Sequence, residues 1–291
     1  MLCDFVISEE VSGYAVSSEY GSIFKAILLG ALQGLTEFLP VSSSGHLVLL
    51  HHLLDYGQSA VFFDVMLHAG TLGAILVVYR KSIYSLAKLS ILDTIKLQLS
   101  DAQRTVGLLV LATIPTAIIG LLFNRRLEQF FANPKAIAIM LVITAALLQL
   151  PRFRKFSQPP TSQDQNSHQL IGRRLQIWQA LLLGLVQGFA VIPGISRSGA
   201  TISVALLLGI QPTVAAEFSF LLSIPAILGA VVLNLGDIAT VNHLTAVGVG
   251  MITAFIVGVV ALRLLLTLIN RSRFSIFSYY CLLIAALAFL L

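Results

Sequence analysis

The stretch GALQGLTEFLPVSSSGH, residues 30–46, interrupts an apolar run, and GLVQGFAVIPGISRSGA, residues 184–200, does the same in the second half of the chain. In each stretch the apolar run ends at proline, glycine and serine, and a shorter apolar run follows, at 47–54 in the first half and at 200–210 in the second. Proline stops a helix because it lacks a backbone donor. Irregular backbone at membrane depth is tolerated only inside protein or beside water. The pattern therefore predicts two re-entrant helical hairpins, at 22–54 and 177–210.

The two stretches also align with each other. Gln33 falls on Gln187, and the other matched residues are glycines and serines: Gly30, Gly34, Ser42, Ser44 and Gly45 against Gly184, Gly188, Ser196, Ser198 and Gly199. Apolar composition alone does not produce such matches, so they predict an internal repeat. Three spans predicted between the hairpins are an odd number, so the second copy is inverted. Inverted repeats with broken helices place a binding site at the repeat interface.

Composition places this architecture in a membrane. Of 291 residues, 57% are hydrophobic and 11% charged, and the mean hydropathy is +0.92, whereas a soluble domain carries about 25% charged residues. A transmembrane helix needs about 20 apolar residues, and six runs approach that length: 61–79, 105–123, 134–150, 216–234, 244–269 and 275–291. We expect an all-α polytopic membrane protein with six transmembrane helices and two re-entrant hairpins in an inverted repeat.

The remaining segments divide the chain into regions. Residues 1–20 form an acidic tail, and residues 151–176 form a polar linker between the repeat halves 21–150 and 177–291. Cys3 and Cys281 have no metal-ligand or disulfide spacing.

The net charge of +5 does not indicate nucleic-acid binding, because the basic residues fall between apolar runs. Twelve of the 18 Lys and Arg lie in the loops 80–104, 151–176 and 270–274. Basic loops face the cytoplasm, which predicts a multi-pass plasma membrane protein with both termini outside. Membrane lipids are its expected surroundings, and a homodimer is compatible with the sequence.

The first break carries ionisable groups that are expensive inside a membrane and mark candidate functional sites. They are Glu37 and His46, and Gln33 shares a helix face with Glu37 through its i, i+4 spacing. Hydroxyl groups follow the proline, at Ser42, Ser43 and Ser44. A buried carboxylate satisfied by hydroxyls is the purely structural alternative.

The second break favours an anion. Arg197 lies between Ser196 and Ser198, and Gly199 and Thr201 follow at the start of a predicted helix, 200–210. Helix N-termini favour negative charge, and arginine can fork two phosphate oxygens. A structural ion pair between Arg197 and Glu37 is the alternative. From the residues alone, a lipid phosphatase and an anion transporter both stay open. Gln187 is a further candidate for a supporting position. Asp64, His68 and Glu217 lie near span starts, where they either satisfy a helix end or support the site.

At these motifs the sequence resembles the undecaprenyl-diphosphate phosphatases, or bacitracin-resistance proteins. That family's (E/Q)xxxE motif running into a serine-rich break appears here as QGLTEFLPVSSSGH, and its PGxSRSGxT motif as PGISRSGAT, residues 193–201. The resemblance implies hydrolysis of the polyprenyl lipid undecaprenyl diphosphate, which recycles the carrier for cell-wall synthesis and counters bacitracin.

The resemblance also implies roles for individual residues. Glu37 would be an activating or metal-associated acid, Ser43 the proposed nucleophile, His46 catalytic and Arg197 phosphate-binding. Hydroxyls expected at the phosphate are Ser42, Ser44, Ser196, Ser198 and Thr201. The family implies a divalent cation, Mg²⁺ or Ca²⁺, but Gln33 occupies its first acidic position and leaves Glu37 as the one carboxylate. A transporter or lipid flippase is the alternative function, and the choice of Ser43 or His46 as nucleophile stays open.

Overall fold

The computed structural model describes residues 21–54, 60–95, 100–123, 133–153, 171–172, 175–236, 244–269 and 274–291. All regular secondary structure in these ranges is helical, which confirms the predicted all-α class. The predicted tail, 1–20, and most of the predicted linker, 151–176, lie outside the described residues.

Eleven α-helices are described in these ranges. The first half contributes α1 (21–38), α2 (Ser43–Leu54), α3 (Ala60–Val78), α4 (Arg80–Ile95), α5 (Asp101–Phe123) and α6 (Pro134–Gln149), which continues into a 3-10 turn, Leu150–Phe153. The second half contributes α7 (Ile177–Phe189), α8 (Arg197–Leu207), α9 (Pro212–Asn234), α10 (Leu244–Ile269) and α11 (Ile276–Phe289).

Five helical segments among the described residues are long and apolar enough to cross a membrane: Val61–Val78, Asp101–Phe123, Pro134–Arg152, Pro212–Asn234 and Leu244–Ile269. They match five of the six predicted spans, and the protein is a polytopic membrane protein. The sixth predicted span, 275–291, corresponds to α11, which is apolar but has 14 residues. At 1.5 Å per residue, α11 is about 21 Å long, so a sixth full crossing stays a prediction.

The return helices of both hairpins begin earlier than we expected. We placed them at 47–54 and 200–210, but α2 begins at Ser43 and α8 at Arg197. The physical reason is the residue before each start, because a serine side chain can satisfy a free N–H of the first turn. Ser43 and Arg197 therefore lie on the first turns of two helices rather than in loops.

Small residues let the broken helices pack closely against long ones. In α1, a Cβ added at Gly30 would collide with the carbonyl oxygen of Gly250 on α10. In α7, a Cβ added at Gly184 would collide with the carbonyl oxygen of Ala112 on α5. Glycine at a helix interface permits this approach of two backbones. Each broken helix thus packs on a long helix from the other half of the chain.

The two breaks lie against each other. A Cβ at Gly45 would be 3.2 Å from the Cα of Gly194, and a Cβ at Gly199 would be 3.3 Å from the Cβ of Pro40. Gly194 has a φ of +95°, a conformation that glycine adopts readily. Side chains on the first turns of α2 and α8 are thereby brought to one place.

Candidate active site

Glu37, near the end of α1, joins the two breaks. Its Oε1 accepts a hydrogen bond from Nη2 of Arg197 on α8. Its Oε2 accepts from Ser43 Oγ at 2.5 Å and from Gln33 Nε2 at 3.1 Å. The Glu37 side chain is only 5% exposed, so these donors replace water around the carboxylate. The structure therefore brings four of the predicted site residues together.

Arg197 has a further donor that its ion pair does not use. Its Nη1 is buried and has no hydrogen-bond partner among the described residues. A guanidinium carries five N–H donors and no acceptor, and leaving a buried donor unpaired costs about 1–3 kcal/mol. This arrangement fits a site in which an anionic ligand supplies the missing acceptor.

Ser42 and Ser196 cap the two return helices in the same way. Ser42 Oγ accepts from the Gly45 N–H at 3.2 Å, and Ser196 Oγ accepts from the Gly199 N–H at 3.0 Å. The Oγ atoms of Ser42 and Ser44 are 3.4 Å apart, as are those of Ser196 and Ser198. These matching bonds support the predicted repeat. They also place two positive helix ends at one site, where an anion is favoured.

Both ring nitrogens of His46 are engaged within the protein. Its Nδ1 is 2.7 Å from the Ser42 carbonyl oxygen, and its Nε2 is 2.9 Å from the Tyr280 hydroxyl on α11. A carbonyl oxygen only accepts, so Nδ1 donates. His46 is 6% exposed. In this arrangement the histidine holds the first break in place rather than presenting a free nitrogen.

His68 on α3 lies at the site, where the sequence indicated only a supporting position. Its Nε2 is 3.4 Å from Glu37 Oε2, and its Nδ1 donates to the backbone oxygen of Asp64 at 2.8 Å. The Asp64 carboxylate lies 2.8 Å from His51 Nε2 on α2. Asp64 therefore supports the site through His68, and its carboxylate ties α3 to α2. The sequence does indicate that these two residues lie together, because His68 follows Asp64 by one helical turn and shares its helix face.

Two other predicted residues lie outside the Glu37 cluster. Gln187 donates from Nε2 to the Leu222 carbonyl at 3.1 Å and ties α7 to α9. Glu217 on α9 is buried and lies near Tyr79. Gln33 and Gln187 thus occupy equivalent positions in the alignment but have different partners.

Two of the predicted phosphate-binding hydroxyls make hydrogen bonds within the protein at or near the second break. Thr201 Oγ donates to the Arg197 carbonyl at 2.8 Å, and it lies 2.5 Å from Ser219 Oγ. Ser198 Oγ is 3.5 Å from the Leu39 carbonyl of the first break. Thr201 is therefore engaged in holding α8, while Ser198 lies at the contact between the breaks.

The last helices of the two halves hold the breaks from outside. Thr144 on α6 donates from Oγ to the Gly194 carbonyl at 2.9 Å and accepts from the Ser196 N–H at 3.0 Å. Cys281 Sγ on α11 lies 3.7 Å from the Pro40 carbonyl. Pro40 and Gly194 are equivalent positions in the alignment of the two stretches, so this bracing follows the same symmetry.

The residues around Glu37 do not form a site that could hold a metal ion by themselves. No group of three or more His, Cys, Asp or Glu side chains is arranged to hold a metal among the described residues. Both Glu37 oxygens already accept from Arg197, Ser43 and Gln33. Mg²⁺ is commonly bound by one or two carboxylates together with substrate phosphates, so the chain by itself offers an incomplete site.

Comparisons with known proteins agree with the motifs. The chain is 40% identical to an undecaprenyl-diphosphatase of Methanosphaera stadtmanae, over 92% of this chain and 98% of the relative. It is 41% identical to an undecaprenyl-diphosphatase of Syntrophotalea carbinolica, with the same coverage. It is 42% identical to one of Desulfosudis oleivorans, over 88% of this chain and 94% of the relative.

The family model described as "Bacitracin resistance protein BacA" matches residues 26–287. That range includes both breaks and all the long helices. The chain therefore belongs to the bacitracin resistance protein BacA family.

Proposed function

We propose that the protein is an undecaprenyl-diphosphate phosphatase. It hydrolyses undecaprenyl diphosphate to undecaprenyl phosphate and inorganic phosphate, recycles the lipid carrier for cell-wall synthesis and confers bacitracin resistance. The similarity to relatives named undecaprenyl-diphosphatase supports this activity. The observation that carries it is the buried Nη1 of Arg197, which has no hydrogen-bond partner in the described part of the chain. It lies beside a carboxylate that accepts a hydrogen bond from Ser43 Oγ. An anion-binding donor and an activated hydroxyl are what phosphoryl transfer requires.

Ser43 is the nucleophile in this proposal. Its Oγ donates to Glu37 Oε2 at 2.5 Å, a nucleophile paired with a base. As Oγ bonds to the terminal phosphorus of the diphosphate, its proton passes to Glu37. The bond between that phosphorus and the bridging oxygen breaks, and undecaprenyl phosphate leaves with the bonding electrons.

Charge on the transferring phosphoryl group is stabilised by Arg197 and by the two helix N-termini. Arg197 can direct Nη1 to a phosphate oxygen and keep Nη2 on Glu37, because its guanidinium has donors on both sides. The N-terminal ends of α2 and α8 add the positive ends of two helix dipoles. Fixed donors of this kind stabilise developing negative charge without reorganising.

A water molecule completes the cycle. Its oxygen bonds to the phosphorus of phospho-Ser43, and the bond from phosphorus to Ser43 Oγ breaks. Glu37 returns its proton to Ser43 Oγ, and the proton that the water molecule releases goes to the departing phosphate. Glu37 is the group within reach of Ser43 Oγ that can serve as base in one step and acid in the next.

The contacts of His46 favour Ser43 over His46 as nucleophile. A histidine nucleophile needs one ring nitrogen with a free lone pair. Its Nδ1 donates to the Ser42 carbonyl and its Nε2 pairs with Tyr280, so an attack by His46 would first require displacing one of these partners.

In this proposal a divalent cation, Mg²⁺ or Ca²⁺, binds to the protein together with the diphosphate. The lipid's phosphate oxygens are the ligands that such a cation prefers. The donors already on Glu37 argue against a cation held by the protein before the lipid binds.

The proposed orientation follows the basic loops. The loops 80–104, 151–176 and 270–274 would face the cytoplasm of a bacterial plasma membrane, because positive loops stay on that side. Both termini would then be extracytoplasmic. Thiol-reactive labelling of single cysteines placed near each terminus, in intact cells, tests this arrangement.

Phosphate release from a prenyl diphosphate tests the function directly. Purified protein with Mg²⁺ in detergent should release inorganic phosphate and leave the lipid monophosphate. A transporter or flippase would need no pair of nucleophile and base, so lipid movement across liposomes without phosphate release would favour that function instead.

A further inference from the structure

Tyr280 connects the C-terminal helix to the first break. Its hydroxyl lies 2.9 Å from His46 Nε2 across 234 positions of sequence, and the two ring planes are parallel to within 1°. The Tyr280 side chain is 39% exposed, so its ring lies at the surface of α11 while its hydroxyl reaches a buried partner. In the mechanism proposed above, this contact only keeps His46 Nε2 from acting as a nucleophile, and Tyr280 itself has no role.

The contact determines which nitrogen of His46 carries the proton. Because the Ser42 carbonyl can only accept, Nδ1 holds a hydrogen. The neutral ring then has its lone pair on Nε2, and the Tyr280 hydroxyl donates to it. In this tautomer every polar atom of the His46 ring has a partner, which is how buried polar groups are stabilised.

His46 in turn holds a strained residue. The Ser42 carbonyl accepts from His46 Nδ1 at 2.7 Å and from the His46 backbone N–H at 3.2 Å. Ser42 has a φ of +68°, a backbone conformation that is unfavourable for residues other than glycine unless their surroundings hold it. Ser43 follows directly, so the turn at Ser42 sets the direction from which Ser43 Oγ meets Glu37.

We propose that Tyr280 is a positioning residue for catalysis: its hydroxyl fixes the tautomer and ring orientation of His46, which holds the Ser42 turn and aims Ser43. It acts through His46 and does not touch the reacting atoms. The kinetic part of this inference rests on the proposed phosphatase activity, whereas the hydrogen bond can be observed without substrate.

The neighbouring tyrosine supplies a matched control. Tyr279 is on the same helix and is 59% exposed. Tyr280→Phe and Tyr279→Phe each remove one hydroxyl from α11 and keep the aromatic ring. A difference between the two variants therefore reports the hydrogen bond to His46 rather than the loss of a tyrosine from the membrane surface.

The first measurement is ¹⁵N NMR of histidine-labelled protein in detergent, with the His46 signals assigned by His46→Asn. Wild type should show protonated Nδ1 and unprotonated Nε2. Tyr280→Phe should shift the Nε2 resonance, and Tyr279→Phe should leave it in place. An Nε2 resonance that is the same in all three proteins would overturn the proposed contact, whatever the activity is.

The second measurement is steady-state kinetics on a prenyl diphosphate. Tyr280→Phe should lower kcat by about tenfold to a hundredfold, the range seen when a hydrogen bond orienting a functional histidine is removed, and KM should change by less than about twofold. In a double-mutant cycle with His46→Asn, the double variant should be no slower than His46→Asn alone.

Two kinetic results would overturn the inference. One is an equal loss of kcat in Tyr279→Phe, and the other is multiplication of the Tyr280→Phe and His46→Asn effects in the double variant. A wild-type protein that releases no phosphate would instead contradict the proposed function and leave the NMR measurement to decide the role of Tyr280.

Discussion

Ser43 Oγ donates a hydrogen bond to Glu37 Oε2 at 2.5 Å, and the same carboxylate accepts from Arg197 through its other oxygen. One buried side chain thus joins the proposed nucleophile to the proposed phosphate-binding cation. Ser43 and Arg197 are 154 residues apart in the sequence, one in each break, so the site exists only when the two halves are packed together.

Ser43→Ala should abolish turnover and retain binding of the lipid. The substitution removes the attacking oxygen, while Arg197 and both helix N-termini remain. The control is Ser223→Ala, because the buried Ser223 hydroxyl donates to the Phe220 carbonyl of its own helix. Phosphate release and lipid binding are measured on both variants. Turnover in Ser43→Ala above about a thousandth of wild type would argue for another nucleophile.

Arg197→Lys should lower kcat/KM by about 10² to 10³, the cost of removing one donor to the transition state. Lysine keeps the positive charge but lacks the planar fork that reaches Glu37 and a phosphate oxygen together. Arg263→Lys on α10 is the control, since that side chain is exposed. Equal kinetics in Arg197→Lys and wild type would mean that charge alone is sufficient.

His68→Leu should slow phosphate release more than His68→Gln. With both ring nitrogens protonated, His68 pairs with Glu37 Oε2 at 3.4 Å. Interactions with charged groups contribute about 1.5–3 kcal/mol, so losing this partner should cost about tenfold or more in kcat. Glutamine can still donate to the carboxylate and should recover part of the rate. His52→Gln, at an exposed position of α2, is the control. Identical rates for the leucine and glutamine variants would contradict this role.

Divalent cations should bind measurably only when the diphosphate is present. Mn²⁺ can be followed by electron paramagnetic resonance of purified protein, first alone and then with a non-hydrolysable lipid diphosphonate. We expect free Mn²⁺ in the first sample and bound Mn²⁺ in the second, because the phosphate oxygens complete the ligand set. Stoichiometric Mn²⁺ binding without the lipid would reveal a protein-held site.

Gly184→Ala should destabilise the protein by about 1–3 kcal/mol, the usual cost of overpacking. Its new methyl group would meet the Ala112 carbonyl and push α7 away from α5. Gly107→Ala on α5 is the control, since a Cβ there meets nothing within 4 Å. Thermal unfolding in detergent should separate the two variants, and unfolding of Gly184→Ala at the wild-type temperature would contradict the close contact.

Much of the site could be predicted because its polar residues stand out in an apolar chain. Glu37, Ser43 and Arg197 are costly inside a membrane, so their presence near two breaks indicated one shared site. The starts of α2 and α8 were misplaced because the prediction followed apolar residues and overlooked serine as a cap. Capping depends on one side chain and leaves little trace in hydropathy.

Contacts between distant segments could not be predicted in the same way. Tyrosine is common at membrane interfaces, and the bond from Tyr280 to His46 produces no periodic pattern in the sequence. The contacts of Thr144 with the second break could not be predicted either, because Thr144 is an isolated polar residue within an apolar helix. Gln187 was expected beside the site because it aligns with Gln33, but the position equivalent to Glu37 is Val191. With no carboxylate there, Gln187 bonds to a backbone carbonyl instead.

Rapid-quench trapping of a phosphoenzyme tests the central claim most directly. Wild-type protein is mixed with a prenyl diphosphate carrying ³²P in its terminal phosphate and is quenched before one turnover is complete. Label that is stable in acid, labile in base and located on Ser43 is the predicted result, and Ser43→Ala should carry none. Acid-labile label on His46, or phosphate release with no label on the protein at any time, would contradict the account.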